Sequence, residues 1–409
     1  MSTWKLWLLF LLTVGLVLLR IVVSPSGCIS PDSTYYLQGA TNLSEGNNYL
    51  IVFAGKTTYN AIWPIGYPLA TAILHKISGF NLFWASKLVN LLCLLACFWA
   101  AHRWFGTKAW FVCLPFCTGT MVKIASYSWS ETLFITLLLI FTMLLHTILS
   151  SAAAPDHNRP DFQSRQSTFI VWLVLFVTSF GMFVTRYIGG FTLPLLGGFA
   201  LYFAVRKHWK TSLYFGLVSF FSLLASMAYL NYNQLQTGTW AGGEIRDPIE
   251  NESFTRFSMM VTKGLFNEFW VIRDWDFRSG DVVFLIGMVL QLVVMWKVIK
   301  AITQLPQQQH FLGRFSLVLV LISLTYAIHL VIARRMSAFM DLDFRYFSPM
   351  TIPLWLACTV WFVQPAQNAL YQKTKYWVAV LFLASLVDAA IPGSITFEQG
   401  MQLFQEKIF

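Results

Sequence analysis

Nine ionisable residues have types that could do chemistry together: Asp32, Lys123, Glu131, Arg186, Arg334, Arg335, Asp341, Asp343 and Arg345. Arginine forks hold phosphate oxygens in two-pronged hydrogen bonds, and a carboxylate left beside them can take a proton from a hydroxyl or an amine. Each residue also has a plainer reading. Arg and Lys at helix ends snorkel to lipid phosphates. The stretch Ser30-Pro31-Asp32-Ser33 could simply cap a short helix. What separates the two readings is whether residues from distant parts of the chain fall at one membrane surface.

That depends on the elements carrying them. The chain has 409 residues, 57% of them hydrophobic and only 11% charged. A soluble domain has roughly 25% charged residues, so a soluble globular protein is excluded. The apolar residues fall into repeated runs of roughly 15 to 22, long enough to cross a bilayer. Aromatic residues at 17% suit interfacial belts. The net charge of +10 comes without any run rich in Lys and Arg, so it marks topology and not nucleic-acid binding. Cys93/Cys97 and Cys113/Cys117 sit one helical turn apart in apolar runs with no histidine pair at zinc spacing, which reads as packing. Cys28 and Cys358 are single, so nothing marks a disulfide framework. The apolar run after Lys5 is too long for a signal peptide and lacks a small-x-small cleavage site, so it reads as a retained first helix.

Spans are predicted at 5–23, 84–102, 109–125, 130–149, 168–185, 188–205, 211–230, 281–299, 315–333, 348–363 and 376–391. The fold class is an all-α polytopic membrane protein with about eleven transmembrane helices. Arg206-Lys207-His208-Trp209-Lys210, Lys297 with Lys300, and Lys373 with Lys375 lie in short loops. With a cytoplasmic N-terminus all three fall inside, as the positive-inside rule requires. The segments assigned inside then hold only Asp156 and Asp161 as acids. The stretch 66–78 is too short to span and reads as an amphipathic interfacial helix in a first outer loop of 24–83. A polar linker covers 150–167. A second outer loop, 231–280, carries Trp240, Trp270 and Trp275 with turn formers such as Gly242-Gly243 and Asp247-Pro248. The organisation is thus a membrane module over 1–230, the outer loop 231–280, and C-terminal helices with a short outer tail over 281–409. No internal repeat is visible, which disfavours a transporter. With this topology the nine residues fall at outer helix ends. Basic residues should be sparse there, and an anionic ligand would account for Arg186 and the Arg334-Arg335 pair.

Several motifs in order carry a resemblance. They are Asp32-Ser33-Thr34-Tyr35-Tyr36-Leu37-Gln38-Gly39-Ala40, then Trp63-Pro64-Ile65-Gly66-Tyr67-Pro68-Leu69, then Lys87-Leu88-Val89-Asn90-Leu91-Leu92. Ser130-Glu131-Thr132-Leu133-Phe134, Thr185-Arg186-Tyr187-Ile188-Gly189 and Phe344-Arg345-Tyr346-Phe347-Ser348-Pro349 follow. Together these resemble the GT-C membrane glycosyltransferases, in particular the bacterial branch similar to protein mannosyltransferases and the lipid A aminoarabinose transferase. The resemblance covers 1–230 well and 340–353 locally.

It implies a GT-C type fold with short amphipathic helices in the first outer loop. It also implies transfer of a sugar from a polyprenyl-phosphate or polyprenyl-diphosphate carrier to a glycan, lipid or protein acceptor on the outer face. By the same resemblance Asp32 is the general base. Arg345 and Arg186, joined by Arg334, Arg335 and Lys123, hold the carrier phosphate. Glu131, Tyr35, Tyr187, Tyr346 and Trp63 bind sugar or acceptor. Two departures matter: Ile65 replaces the second proline of the family pattern, and Ser33 stands where several relatives carry a second acid. A lone Asp32 with a distant Glu131 makes a poor oxygen cage, so no metal and no other cofactor is predicted. The expected location is a bacterial inner membrane with the site outside, and acceptor choice is expected in 231–280. The alternative reading is a transporter or flippase of lipid-linked sugars, which would place ionisable residues at mid-membrane; His146 and His329 lie nearer span ends.

Overall fold

The computed structural model describes residues 3–152, 165–241, 253–271, 282–304, 313–336 and 342–388. Asp156, Asp161, Gly242-Gly243, Asp247-Pro248, Trp275, Asp341 and the outer tail lie outside the described residues. Helix α1 (Trp4–Val23) is followed by α2 (Pro31–Ser44), a hairpin, α3 (Gly66–Ser78) and α4 (Leu82–Phe105). Next come α5 (Ala109–Val112), α6 (Gly119–Ser126), α7 (Glu131–Ala152), α8 (Arg165–Thr185), α9 (Thr192–Val205) and α10 (Trp209–Thr237). Helix α11 (Phe254–Phe269) lies in the second loop, and α12 (Val282–Thr303), α13 (Arg314–Met336), α14 (Phe344–Phe362) and α15 (Asn368–Asp388) complete the order.

Among the described residues, six helical stretches are long and apolar enough to cross a membrane: Trp4–Val23, Leu82–Val112, Glu131–Ala152, Tyr187–Val205, Trp209–Thr237 and Arg314–Arg335. Helices α14 and α15, bent by 75° at a short break, make a further pair that passes the same test. The chain is an integral, multi-pass membrane protein. Its outer surface agrees: α10 leaves Leu213, Leu217, Phe220, Phe221 and Leu224 exposed, an apolar wall suited to lipid.

One expected span needs correction. The run 109–125 is not one helix but α5, a 3-10 turn over Leu114–Cys117, and α6. Pro115 has no N–H to donate back to Phe111, so the helix breaks there, and Thr118 restarts it by accepting a hydrogen bond from the Met121 N–H at 3.2 Å. The first outer loop holds short helices α2 and α3 as expected, and a small hairpin besides. Strands β1 (Leu50–Phe53) and β2 (Lys56–Tyr59) pair antiparallel with Leu50 opposite Tyr59. Their two-residue turn, Ala54-Gly55, has φ of 48° and 76°, the left-handed geometry that matches strand twist.

The interior holds two large apolar clusters, with two small ones around Tyr36 and Tyr67 and around Tyr49 and Tyr59. One joins α1, α4, α5, α6, α14 and α15 around Phe98, Phe111, Phe116 and Phe382. The other joins α7, α8, α9, α10 and α13 around Phe134, Phe141, Phe191, Phe215 and Tyr326. Amphipathic α3, over the range expected for it, packs on α2 and α4 and exposes Leu69, Ile73 and Ile77 on one stripe. Chain direction brings the ends of α1, α6, α8, α10 and α13 and the starts of α4, α7, α9 and α14 to one end of the bundle. Arg206 and Lys207 in the loop between α9 and α10, Lys300 in the last turn of α12 and Lys373 near the start of α15 lie at the other, the last two inside helices and not in the short loops expected for them.

Candidate active site

Asp32 is placed by the start of α2. Ser30 caps the helix, its hydroxyl accepting from the Ser33 N–H at 3.2 Å, and Pro31 sits in the first turn, where its missing N–H costs nothing. Arg345 is placed by the start of α14. The Asp343 carboxylate accepts from the Arg345 N–H at 2.9 Å. Pro349 cannot bond to the Arg345 carbonyl, and the Ser348 hydroxyl donates to it at 3.3 Å. Glu131 opens α7 just after Ser130, whose hydroxyl shares a 3.0 Å hydrogen bond with that of Tyr36. Arg186 sits in the break between α8 and the 3-10 turn Tyr187–Phe191, its N–H donating to the Met182 carbonyl at 2.9 Å.

These four side chains meet. Arg345 donates from Nη1 to Asp32 Oδ2 at 2.5 Å and from Nε to Glu131 Oε1 at 2.7 Å. The same Glu131 oxygen pairs with Arg186 Nη1. Glu131 is fully buried, while Asp32 keeps 23% of its side chain exposed and Arg345 keeps 15%. The result is a charge-balanced line, Asp32–Arg345–Glu131–Arg186, buried at Glu131 and open at Asp32. The cation between the two carboxylates is the Arg345 guanidinium. Among the described residues no group of three or more His, Cys, Asp or Glu gathers.

Aromatic rings hold the line in place. The Arg345 guanidinium lies 4.0 Å from the centroid of Trp129, whose Nε1 donates to Ser30 Oγ at 2.7 Å and whose ring stacks on Tyr127 at 4.1 Å. Arg186 lies 5.5 Å from the Tyr346 ring. Tyr35, one turn beyond Asp32, stacks on Trp63 at 4.4 Å, and Phe53 of the hairpin leans on both rings. Burial, with the Glu131 charge nearby, holds the Tyr36 phenol well above its ordinary range, so it stays a neutral hydrogen-bonding group.

The remaining candidates are at the same end in different settings. Lys123 lies over the Phe344 ring at 4.3 Å, and Arg335 over the Phe257 ring of α11 at 5.3 Å. Arg334 is buried in the last turn of α13. The Tyr187 hydroxyl donates to the Ala61 carbonyl at 2.7 Å and accepts from Asn233 at 2.9 Å, tying the first outer loop to α10. Trp129 and the buried Arg20 of α1 escape the sequence reading, which takes Ser30 only as part of a helix cap and Tyr36 only as part of a motif. An arginine inside the apolar run 5–23 was the one visible signal among them.

A multi-pass membrane protein with a line of paired charges at one end of its bundle is thereby defined. No protein-family model and no curated protein matches its sequence. Among solved structures it is similar to ArnT from Cupriavidus metallidurans. In the apo state the identity is 14% and the TM-score 0.51, covering all of this chain and 78% of ArnT. Bound to undecaprenyl phosphate the identity is 13% and the TM-score 0.55, with the same coverage. ArnT is the lipid A aminoarabinose transferase, a GT-C glycosyltransferase. At this identity the likeness speaks to architecture: the chain has the GT-C fold.

Proposed function

We propose that this protein transfers a glycosyl group from a polyprenyl-phosphate-linked or diphosphate-linked donor to an acceptor at the extracytoplasmic membrane face. The observation that carries the reading is the Asp32–Arg345–Glu131–Arg186 line, which places an accessible carboxylate beside two fixed guanidiniums at the end of a membrane bundle. The GT-C fold and the likeness to ArnT with undecaprenyl phosphate bound support a lipid-phosphate donor. The basic residues at the opposite end of the bundle support a cytoplasmic placement for that end. A bacterial inner membrane fits such a carrier.

In the reaction, Asp32 takes the proton of an acceptor hydroxyl or amine as that atom bonds to the anomeric carbon. The bond from that carbon to the phosphate oxygen breaks, its electron pair leaves with the carrier, and configuration inverts. Arg345 and Arg186 stabilise the charge that develops on the phosphate, and Lys123, Arg334 and Arg335 add positive potential at the same end. Glu131 serves this step by holding both guanidiniums, a role its burial favours over direct contact with sugar. The Tyr35–Trp63 stack offers a sugar a flat apolar face one turn from the base. Helix α11 packs on α14, bringing the second loop near the site, where it could select the acceptor.

The test uses purified wild type and Asp32→Asn with polyprenyl-phosphate sugars and a membrane extract as acceptor, following sugar release and donor binding together. The expected result is that Asp32→Asn binds donor as wild type does and turns over at least about a hundredfold more slowly. If wild type binds the lipid, cleaves no donor and moves the lipid across reconstituted vesicles, the transferase reading falls to the flippase one.

A further inference from the structure

Helix α4 contains a lysine where the sequence predicts a plain membrane crossing. Lys87 is 1% exposed, yet its ammonium meets backbone carbonyls and a ring: Ser126 O at 2.7 Å, Cys28 O at 3.3 Å and the Phe83 ring at 4.8 Å. Burying a cation in a membrane helix is costly, and such residues are kept where they do something.

The recipients of its hydrogen bonds show what that is. Ser126 is the last residue of α6, and a helix leaves its last four carbonyls without intrahelical partners. Lys87 takes one of them. Asn90, one turn further along α4, donates from the same Nδ2 to Ala125 O at 3.1 Å and Tyr127 O at 2.7 Å. Ser86 shares a 2.7 Å hydrogen bond with Ser128. A cation at a helix C-terminus is also favoured by the helix dipole. Three side chains of α4 therefore grip four successive residues, 125–128, which lead directly into Trp129, Ser130 and Glu131.

The second carbonyl matters as much. Cys28, held at φ 56°, precedes the Ser30 cap and Asp32. Lys87 thus joins the segment that delivers the base to the segment that delivers Glu131. The two segments meet again above it, where Trp129 donates to Ser30 and carries Arg345 on its ring.

We propose that Ser86, Lys87 and Asn90 are positioning residues: a clamp on the end of α6 and the turn after α1 that sets Asp32, Trp129 and Arg345 in register. The clamp touches none of the reacting groups and acts through Trp129 and Ser30. Its effect on turnover rests on the function proposed above, whereas its effect on local structure does not.

The experiment compares Lys87→Met with wild type in detergent by hydrogen exchange and by turnover. Backbone amides of 126–131 and 26–34 are expected to exchange roughly tenfold faster or more, with α8 to α10 unchanged. Turnover is expected to fall roughly tenfold or more, and adding Lys87→Met to Trp129→Leu to cost less than about threefold further, since both changes act on one path. Asn90→Ala should give the same local signature at smaller size and serves if Lys87→Met does not purify as a single species. Unchanged exchange in both segments, or a uniform rise through the chain, overturns the clamp. Faster local exchange in a protein that cleaves no donor keeps the clamp and removes the transferase reading.

Discussion

Arg345 and Asp32 lie 313 positions apart in the chain and meet through a 2.5 Å contact between Nη1 and Oδ2. The proposed base is therefore paired in the free protein, and the cation that pairs it is the one proposed to hold the donor phosphate. A phosphate drawn to Arg345 competes for the same guanidinium and so relaxes the hold on Asp32. The arrangement depends on a planar fork, because Nε serves Glu131 while Nη1 serves Asp32. Lysine keeps the charge but not the two directions. Arg345→Lys is expected to bind polyprenyl phosphate about tenfold or more weakly, the loss of roughly one charge-assisted hydrogen bond. Lipid titration checks this, and affinity within about twofold of wild type would mean the fork is not used.

Glu131 leads to a different prediction because it is fully buried between two cations. Glu131→Ala leaves both guanidiniums without their shared carboxylate, which costs about 3 to 5 kcal/mol in comparable buried pairs. Glu131→Gln keeps one acceptor oxygen and is expected to fall between wild type and alanine in thermal unfolding. If Glu131 acts through the arginines, Glu131→Gln weakens sugar-free polyprenyl phosphate as much as a sugar-loaded donor. A loss confined to the loaded donor would return Glu131 to the sugar pocket.

Much of this frame was legible in the sequence, for identifiable reasons. Apolar runs mark α1, α7, α10 and α13 because lipid tolerates no other composition there, and the clusters at 206–210 and 373–375 fix which ends lie together. Asp32, Glu131, Arg186 and Arg345 could be chosen because charge at helix ends is rare. Their pairing could not, since nothing near Asp32 in sequence points to residue 345. Lys87 was visible within a family-like motif, but its partners are carbonyls, which every residue carries. The hairpin was missed because its turn is Ala54-Gly55, and alanine at φ 48° lacks the Asn or Asp that usually marks such turns. Pro115 was a readable break in 109–125, overridden by the apolar composition around it.

Asp343 makes a prediction about pH. Burial raises its carboxyl above the ordinary carboxylate value, although the Arg345 N–H and guanidinium draw it down. The folded protein then holds this proton more tightly than the unfolded chain does. The associated stability is complete below the ordinary value, 3.8, and is lost as pH rises through the raised one. Asn caps helices as well as Asp and has no proton to lose. Asp343→Asn is expected to unfold at a higher temperature than wild type at neutral pH, with the gap narrowing as pH falls toward about 4. Unfolding curves across that range decide it, and a gap of constant size would assign the effect to the cap itself.

Gly66 belongs to the stretch Trp63-Pro64-Ile65-Gly66-Tyr67-Pro68, and the packing explains why glycine stands there. A Cβ at this position would lie 2.7 Å from the Val184 carbonyl oxygen, 2.9 Å from Thr185 Oγ1 and 3.0 Å from Thr185 Cα. Two of these are backbone atoms, so no rotamer change relieves the contact. Val184 and Thr185 end α8, and the next residue is Arg186, so the start of α3 packs on the backbone that leads into the arginine paired with Glu131. Gly66→Ala must push α3 and α8 apart, an overpacking that costs about 1 to 3 kcal/mol and moves Arg186 with it. The matched control is Gly198→Ala within α9, where a Cβ meets nothing within 4 Å and alanine is the better helix former. Gly66→Ala is expected to lower both the unfolding temperature and the affinity for polyprenyl phosphate, while Gly198→Ala leaves affinity unchanged and unfolds no earlier than wild type. Loss of stability without loss of lipid affinity in Gly66→Ala would separate the α3–α8 contact from the phosphate site and take Arg186 out of it.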